Sequence, residues 1–348
     1  MSNLASISDA FRAQVIDCRQ LGSPFTAAVL QILLENIESG GGLAAAVADW
    51  QGDPRADALP IRLAGALHAL VLNGSRPHLA QFYPGGGSED PQALRAAIDL
   101  VIDQEPAHIA RYLAHPPQTN ETLRSAVLLG GFMTVAHEFA LPLRLLEIGA
   151  SAGLNTIWDK YRYRLGATDF GPATSPVLLE TDWQGPLPDL AMPEILSRAS
   201  CDRSPIDLHD PAQQLRLRSY VWADQRLRLA RLEGAISLAL ATGIQVEKAD
   251  AAEWLARQLA QPTDRAVTVI YHSVMWQYLL PTTRQRLQEL MDEAGQGSPL
   301  AWLRFEPSAA SGQFELRLTR WRAGIRDERL LATAHPHGAQ VRWLTGST

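Results

Sequence analysis

We predict an α/β protein in which an all-helical region, residues 1–140, precedes a mostly parallel sheet formed within residues 141–348. Three observations predict this class. Up to about residue 139 the apolar residues recur at helical spacing, with little β-branched alternation. A compact apolar run, Leu143–Ile148, then has the composition of a strand and leads into a glycine-containing turn. Beyond it strand-like and helical segments alternate, which is typical of an open α/β sheet.

In the first region, apolar spacing and the positions of proline and glycine predict successive helices. Pro24 stands at the start of a helix, where proline is favoured, and Gly40-Gly41-Gly42 ends that helix. The expected helices cover residues 8–18, 24–37, 60–73, 90–104, 105–114 and 121–139.

The second region alternates between the two periodicities. A helix at 152–161 follows the first strand, and residues 162–193 are expected to form an insertion, a hairpin or a flap, with a strand-like run at Val177–Asp182. Further strands are expected at Ile195–Cys201, Ile244–Glu247, Val267–Tyr271, Leu300–Phe305, Phe314–Leu318 and about Ala339–Leu344, and helices at 211–241, 251–259 and 282–294.

Composition and charge narrow the classes of partner. The formal net charge of −6 provides no basic field for phosphates, so duplex nucleic acid is not expected as a partner. Two cysteines, Cys18 and Cys201, are too few for a disulfide framework or a cysteine-rich zinc site, and no metal is expected. The amino terminus lacks the pattern of a signal peptide, and no apolar run reaches the roughly 20 residues of a membrane span. We expect a cytoplasmic protein that acts on a small molecule and has no membrane partner; its oligomeric state stays open.

The turn after the first strand, Glu147-Ile-Gly-Ala-Ser-Ala-Gly-Leu-Asn155, carries most of the functional argument. Small residues after a parallel strand allow a tight turn and a close approach of a ligand to the backbone. The turn resembles the acidic-x-Gly-x-Gly-x-Gly turn of Rossmann-like methyltransferases, which lies against the methionine part of S-adenosylmethionine, with Ser151 at the middle glycine. The resemblance implies that the cofactor is bound by Glu147, Gly149, Ala150, Ser151, Gly153 and Asn155.

Two other interpretations of this turn stay open. Gly149-Ala-Ser151-Ala-Gly153 is also a G-x-S-x-G sequence, the nucleophile elbow of serine hydrolases, with Ser151 as the nucleophile. An elbow normally follows several strands of its sheet, whereas the upstream residues here are predicted to be helical. The turn could also be structural and bind no ligand. The dinucleotide fingerprint G-x-G-x-x-G is absent from it.

Two acidic residues are candidates for the end of the second strand, where methyltransferases bind the ribose hydroxyls. Asp182 lies 182 − 153 = 29 residues after Gly153, and Asp202 lies 202 − 153 = 49 residues after it. Asp202 is favoured because Asp202-Arg-Ser-Pro resembles the Asp-x-x-Pro ending common at this place in methyltransferases. The alternative is a solvated surface acid.

Asp250 and Ala251 are further candidate cofactor ligands. The sequence from Lys248 to Trp254 resembles the third methyltransferase motif, in which an acid and the N–H of its neighbour bind adenine. Asp250 is also well suited to cap the helix 251–259, because aspartate is a preferred capping residue. The two roles are compatible.

The strand that ends near Tyr271 is expected to deliver His272 to the ligand edge of the sheet. A histidine titrates near neutral pH, which suits a general base, and His272 is the candidate for that role. Trp276 and Tyr278 follow and would face the substrate. The alternative is a hydrogen-bonded histidine inside an aromatic packing cluster.

Four stretches together resemble a bacterial family catalogued as domain of unknown function 2332. They are Leu146–Asn155, Cys201–Asp207, Arg218–Trp222 and Tyr271–Tyr278. The resemblance covers most of the chain and implies a methyltransferase-type fold without implying a substrate. The expected function is therefore transfer of a methyl group from S-adenosylmethionine to a small or medium substrate. The alternatives are a non-catalytic ligand-binding sensor on the same fold and a serine hydrolase that uses Ser151.

Overall fold

A computed structural model of the chain describes residues 3–261 and 265–344. Its α-helices are α1 (Asn3–Gln20), α2 (Pro24–Glu38), α3 (Gly42–Val47), α4 (Leu59–Leu72), α5 (Pro77–Ala80), α6 (Pro91–Gln104), α7 (Pro106–Leu113), α8 (Arg124–Phe139), α9 (Pro211–Ser219), α10 (Arg226–Thr242), α11 (Ala251–Leu259) and α12 (Pro281–Gly297). Its strands are β1 (Leu143–Ile148), β2 (Arg162–Leu165), β3 (Thr168–Phe170), β4 (Leu178–Gln184), β5 (Ile195–Asp202), β6 (Glu247–Lys248), β7 (Val267–Ser273), β8 (Leu300–Pro307), β9 (Phe314–Arg322), β10 (Ile325–Ala334) and β11 (Gln340–Trp343).

The chain divides into two compact units. One contains the residues up to 119 together with 209–230, and the other contains 120–208 together with the residues from 231 onward. This division differs from the predicted boundary at residue 140 in two places. Helix α8 groups with the sheet, and α9 groups with the first helices. Both groupings depend on contacts between segments that are distant in sequence.

The first unit is helical, and its core is formed by the apolar faces of its helices. Leu33 of α2, Leu67 of α4 and Ile98 of α6 belong to one buried cluster. Proline begins α2, α6, α7 and α9, where its fixed φ fits the first turn. None of the described residues before Leu143 lies in a strand. No helix in the described ranges is long and apolar enough to cross a lipid bilayer.

The second unit is built on one sheet of eleven strands within the described residues. Their order is β3-β2-β4-β11-β10-β9-β8-β7-β1-β5-β6. Strands β6, β5, β1, β7 and β8 are parallel neighbours, and β8 to β11 form an antiparallel meander. Every residue of β1 is buried because both faces of its parallel neighbourhood are covered. The prediction of an α/β protein with a large, mostly parallel sheet is confirmed.

In the parallel part of the sheet, the side on which the chain adds new strands changes once. From β1 the chain adds β5 and then β6 on one side, and afterwards adds β7 and β8 on the other side. The reversal falls between β1 and β7. Open α/β sheets bind ligands outside the carboxyl ends of their strands at such a point.

The two faces of the parallel region carry different side chains, because successive residues of a strand point to opposite faces. On one face Tyr271 of β7 lies edge-on to Phe132 of α8, with ring centroids 5.0 Å apart. On the other face Ile270 and Trp302 belong to a buried cluster with Trp254 of α11.

The predicted insertion at 162–193 joins the sheet and does not cover it as a flap. Strands β2 and β3 form the expected hairpin, and β4 pairs in parallel with both β2 and β11. The predicted run Val177–Asp182 corresponds to β4 at Leu178–Gln184. Pairing with β11 could not be inferred locally, because Asp182 and its partner Gln340 are far apart in the chain.

Candidate functional site

The glycine turn between β1 and the next helix has left-handed backbone at three positions. The φ angles are 68° at Gly149, 56° at Ser151 and 75° at Gly153. Such values suit glycine and are uncommon for other residues. Ser151 therefore carries backbone strain, a feature that often accompanies functional turns.

Most of the turn's N–H groups are already bonded to the protein. The N–H groups of Gly149 and Ala150 donate to the carbonyl oxygen of Cys201 at 2.9 and 3.0 Å. The Leu154 N–H donates to Asn120 Oδ1 at 2.8 Å. The α-helix predicted at 152–161 is a 3₁₀ helix at Leu154–Lys160, so a long helix dipole is missing behind this turn. These contacts argue against a phosphate cradle.

Asp202, and not Asp182, ends the strand beside β1. Its Oδ2 accepts from the Ser151 N–H at 2.9 Å, and its Oδ1 accepts from the Ser204 N–H at 2.8 Å. Asp182 lies on β4, where its carboxylate accepts from Gln184 and Gln340. The carboxylate of Asp202 thus links the end of β5 to the glycine turn, and this side chain is partly exposed.

Asp250 follows the short strand β6, next to Asp202. The Ala249 N–H donates to the Asp202 carbonyl oxygen at 3.0 Å, which ties these two strand ends together. Asp250 Oδ1 accepts from the N–H groups of Ala252 at 2.9 Å and Glu253 at 3.3 Å. The predicted capping role is confirmed, and the capping bonds use only Oδ1 of this exposed carboxylate. Ala251 is buried at the first position of α11.

Glu147 lies inside the protein beneath the glycine turn. Its Oε2 accepts from Thr156 Oγ1 at 2.5 Å and from the Tyr271 hydroxyl at 3.2 Å. Burial raises the pKa of this carboxyl to about 7, and the nearby Asp202 charge adds to the increase. Thr156 lies nine residues after Glu147 and belongs to no motif, so the sequence does not mark it as a site residue.

This pKa shift predicts a pH-dependent contribution to stability. The pKa of Glu147 rises from 4.5 to about 7 on folding. Between those values the folded protein keeps a proton that the unfolded chain has released. The protonated Glu147 carboxyl therefore contributes fully to the free energy of unfolding below pH 4.5. This contribution, about 3 kcal/mol, is lost as the pH rises through about 7.

The measurement is urea unfolding of wild type and Glu147→Gln at about pH 5 and about pH 8. Glutamine keeps acceptors for Thr156 and Tyr271 but cannot titrate, so the variant should lose less stability than wild type on raising the pH. Glu180→Gln, which changes an exposed carboxyl of β4, should follow wild type. If the free energy of unfolding depended on pH equally in wild type and in Glu147→Gln, the raised pKa could not be assigned to Glu147.

His272 is fully buried, and both ring nitrogens are engaged. Its Nδ1 is 2.7 Å from Glu306 Oε1, and the Trp302 Nε1–H donates to its Nε2 at 3.1 Å. Because an indole can only donate, Nε2 must accept and the proton of the neutral ring lies on Nδ1. His272 points to the face opposite Tyr271, whereas Tyr271 is the residue that contacts Glu147. A general base at His272 would first have to lose its bond from Trp302.

The other residues predicted around the turn have different environments. Asn155 is buried, and its Oδ1 accepts from Ser125 Oγ at 2.6 Å, so it supports the turn from within. The Ser151 hydroxyl is buried and has no hydrogen-bond partner among the described residues. A serine nucleophile needs a base within hydrogen-bond reach. This geometry provides Ser151 with the strained backbone of an elbow but without a paired histidine.

The segment after β7 approaches the glycine turn through Met275. A Cβ atom at Gly149 would come within 2.9 Å of the Met275 side chain, so the glycine permits this contact. Trp276 stacks on His272 with ring centroids 5.1 Å apart. Tyr278 is 71% exposed. The two predicted substrate-facing aromatic residues therefore lie in one 3₁₀ turn, Trp276–Tyr278, but in different environments.

Glu306 belongs to the polar-aromatic stretch Arg304-Phe-Glu-Pro307, whose sequence is compatible with a substrate pocket at this edge, with core packing or with an ion pair. It lies near the end of β8, and its Oε1 accepts from the N–H groups of Met275 at 2.9 Å and Trp276 at 3.2 Å, in addition to His272. The sequence does not show these partners, because Met275 and Trp276 are about thirty residues away from Glu306 in the chain. Groups of three or more metal-binding side chains do not occur within residues 3–261 and 265–344.

Fold and site together define a mixed α/β protein with acidic side chains at the carboxyl ends of neighbouring parallel strands. The chain belongs to a family described as an uncharacterized protein conserved in bacteria (DUF2332), whose model matches residues 8–343. No curated protein and no solved structure matches the chain.

Proposed function

We propose that the second unit is a Rossmann-like domain that binds S-adenosylmethionine and transfers its methyl group to a small substrate. The observation that carries this proposal is the strand order β6-β5-β1-β7-β8, with a glycine turn after β1 at the reversal of direction. This is the order 3-2-1-4-5 of doubly wound nucleotide-binding sheets, numbered by appearance in the parallel region.

The chemistry of the edge favours S-adenosylmethionine over a dinucleotide. Asp202 ends β5 and Asp250 directly follows β6, so two acidic groups that solvent reaches lie at neighbouring strand ends, while Glu147 of β1 is buried beneath the glycine turn. Such groups suit the ammonium, sulfonium, hydroxyl and amino groups of S-adenosylmethionine. A dinucleotide would instead need free N–H groups for its pyrophosphate, and those of Gly149 and Ala150 are bonded to Cys201.

The protein's part in methyl transfer is alignment of the reacting groups. The glycine turn, with Asp202 and Asp250, would hold the methionine part, the ribose and the adenine. S-adenosylmethionine supplies the electrophilic methyl group when bound. Trp276 and Tyr278 would position the acceptor. Because both of its ring nitrogens are hydrogen-bonded, His272 would support the segment that carries Trp276 and Tyr278.

The test is thermal melting with S-adenosylmethionine or S-adenosylhomocysteine, each of which should raise the melting midpoint by mass action. Asp250→Ala should weaken binding about 10–100-fold, because it removes a charged hydrogen-bond acceptor. Asp210→Ala is the matched control, since Asp210 caps α9 in the same way. Gly153→Val is a poor probe because a Cβ there would come within 2.9 Å of Val246 and the φ of 75° strains valine.

The proposal would be contradicted if NAD raised the melting midpoint and neither S-adenosylmethionine nor S-adenosylhomocysteine did. An equal loss of the shift in Asp250→Ala and Asp210→Ala would also contradict it.

A non-catalytic sensor on the same fold is the second candidate. It is favoured by one observation, the engagement of both ring nitrogens of His272. Binding of S-adenosylmethionine without methyl transfer to any acceptor in a broad panel, measured with a radiolabelled methyl group, would support the sensor over the enzyme.

A further inference from the structure

The carboxylate of Glu306 has one fully used oxygen and one unused oxygen. Its Oε1 accepts from His272 Nδ1 and from two backbone N–H groups, at 2.7, 2.9 and 3.2 Å. Its Oε2 is buried and has no partner among the described residues, and the side chain is only 11% exposed. Buried polar atoms are nearly always hydrogen-bonded. Oε2 therefore lacks a donor that a ligand could supply.

The surrounding protein also lacks a cation for this carboxylate. In residues 3–261 and 265–344 no arginine or lysine lies within 4.0 Å of Glu306. The nearest candidates by register are engaged elsewhere: Arg304 pairs with Glu328, and Arg317 pairs with Glu315. His272 is neutral because its Nε2 accepts from Trp302. A buried carboxylate is stabilised by a positive partner, and the described part of the chain places no arginine or lysine within 4.0 Å of this one.

One of the two residues whose backbone N–H groups contact this carboxylate is a tryptophan. The Trp276 N–H donates to Glu306, and the Trp276 ring is partly exposed while it stacks on His272. The face of a tryptophan ring attracts organic cations. The unpartnered carboxylate oxygen and the partly exposed tryptophan ring are the two kinds of group with which a protonated amine interacts.

The backbone of the same segment is strained. Val274 has a φ of 54°, a conformation that is unfavourable for a β-branched residue. The strained segment is held by the hydrogen bonds of Met275 and Trp276 to Glu306. Strain of this kind gathers at ligand sites, where the surrounding structure maintains it.

We propose that Glu306 Oε2 and the Trp276 ring bind a protonated amine, whose N–H donates to Oε2 while its charge lies against the indole. The site binds the amine without S-adenosylmethionine. Only its further identity as the methyl acceptor depends on the proposed function. The two proposals therefore fail independently.

The test is a titration of the full chain, labelled with ¹⁵N at the tryptophan indoles, with propylammonium and with its uncharged analogue 1-propanol. Signals are assigned through Trp276→Phe and Trp302→Phe. Propylammonium should shift the Trp276 and Trp302 signals and bind about 10–100-fold more tightly than the alcohol.

Glu306→Gln should remove this preference while its remaining oxygen still accepts from the backbone N–H groups. Glu315→Gln is the control, because Glu315 lies opposite Glu306 on β9 and has the same side-chain exposure of 11%. Trp276→Leu, which leaves the carboxylate in place, should weaken ammonium binding several-fold. Equal binding of amine and alcohol, no saturable shift with either, or unchanged amine affinity in Glu306→Gln overturns the proposal.

Discussion

Replacing Trp158 by alanine is expected to lower the free energy of unfolding by about 3–5 kcal/mol, the range for deletion of a large buried aromatic side chain. Trp158 is fully buried in the 3₁₀ helix after the glycine turn and stacks on Phe132 of α8, with ring centroids 4.5 Å apart. Its carbonyl oxygen also accepts from the Tyr163 hydroxyl at 2.5 Å. The indole thus connects the turn to the helix that covers this face of the sheet.

The measurement is urea-induced unfolding followed by circular dichroism. Trp158→Phe retains an aromatic ring that can face Phe132 and should cost less than half as much as the alanine variant. The Trp158 Nε1–H has no partner in the described residues, so neither variant breaks a side-chain hydrogen bond. If both variants unfold at the wild-type midpoint, this ring does not anchor the turn.

Replacing His272 by alanine is expected to lower the free energy of unfolding by about 3–5 kcal/mol, because it takes a hydrogen-bond partner from two buried groups, a carboxylate and an indole N–H, and leaves a cavity. Glu306 Oε1 would lose the imidazole, and the Trp302 Nε1–H would lose its acceptor. The melting shift caused by S-adenosylmethionine should remain, since the His272 side chain lies on the face opposite Glu147 and Tyr271.

A catalytic base at His272 would produce a different pattern. Turnover would fall by roughly 10²–10⁴-fold with stability near that of wild type. His272→Asn distinguishes the two roles further, because its amide can still donate to Glu306. If His272 has a positioning role, His272→Asn should be more stable than His272→Ala. If His272 transfers a proton, His272→Asn should be as inactive as His272→Ala.

The parallel strands could be predicted because each is a continuous buried apolar run. Leu143–Ile148 and Val267–Tyr271 are such runs, and the glycine turn marked the carboxyl end of the first one. Asp202 was also identified correctly as the end of the neighbouring strand. Local composition sufficed for these elements, since burial on both faces leaves little choice of residue type.

The face on which each side chain lies could not be predicted in the same way. Tyr271 and His272 are adjacent, so the strand places them on opposite faces, but no local pattern says which face contacts Glu147. The histidine was chosen for its chemistry, and the structure instead brings the tyrosine to Glu147. The role of Glu306 depends on contact with the segment after β7, and that of Thr156 depends on how the glycine turn folds back onto β1; composition encodes neither.

The position of β11 between β4 and β10 has a consequence for synthesis on the ribosome. Asp182 pairs with Gln340, so 340 − 182 = 158 residues must be added after one strand before its neighbour exists. At about 5–20 residues per second this leaves one edge of β4 unpaired for about 8–30 s. An open strand edge is a template for pairing with other chains. The nascent protein therefore passes through an interval in which shielding by a chaperone would have the most effect on its yield.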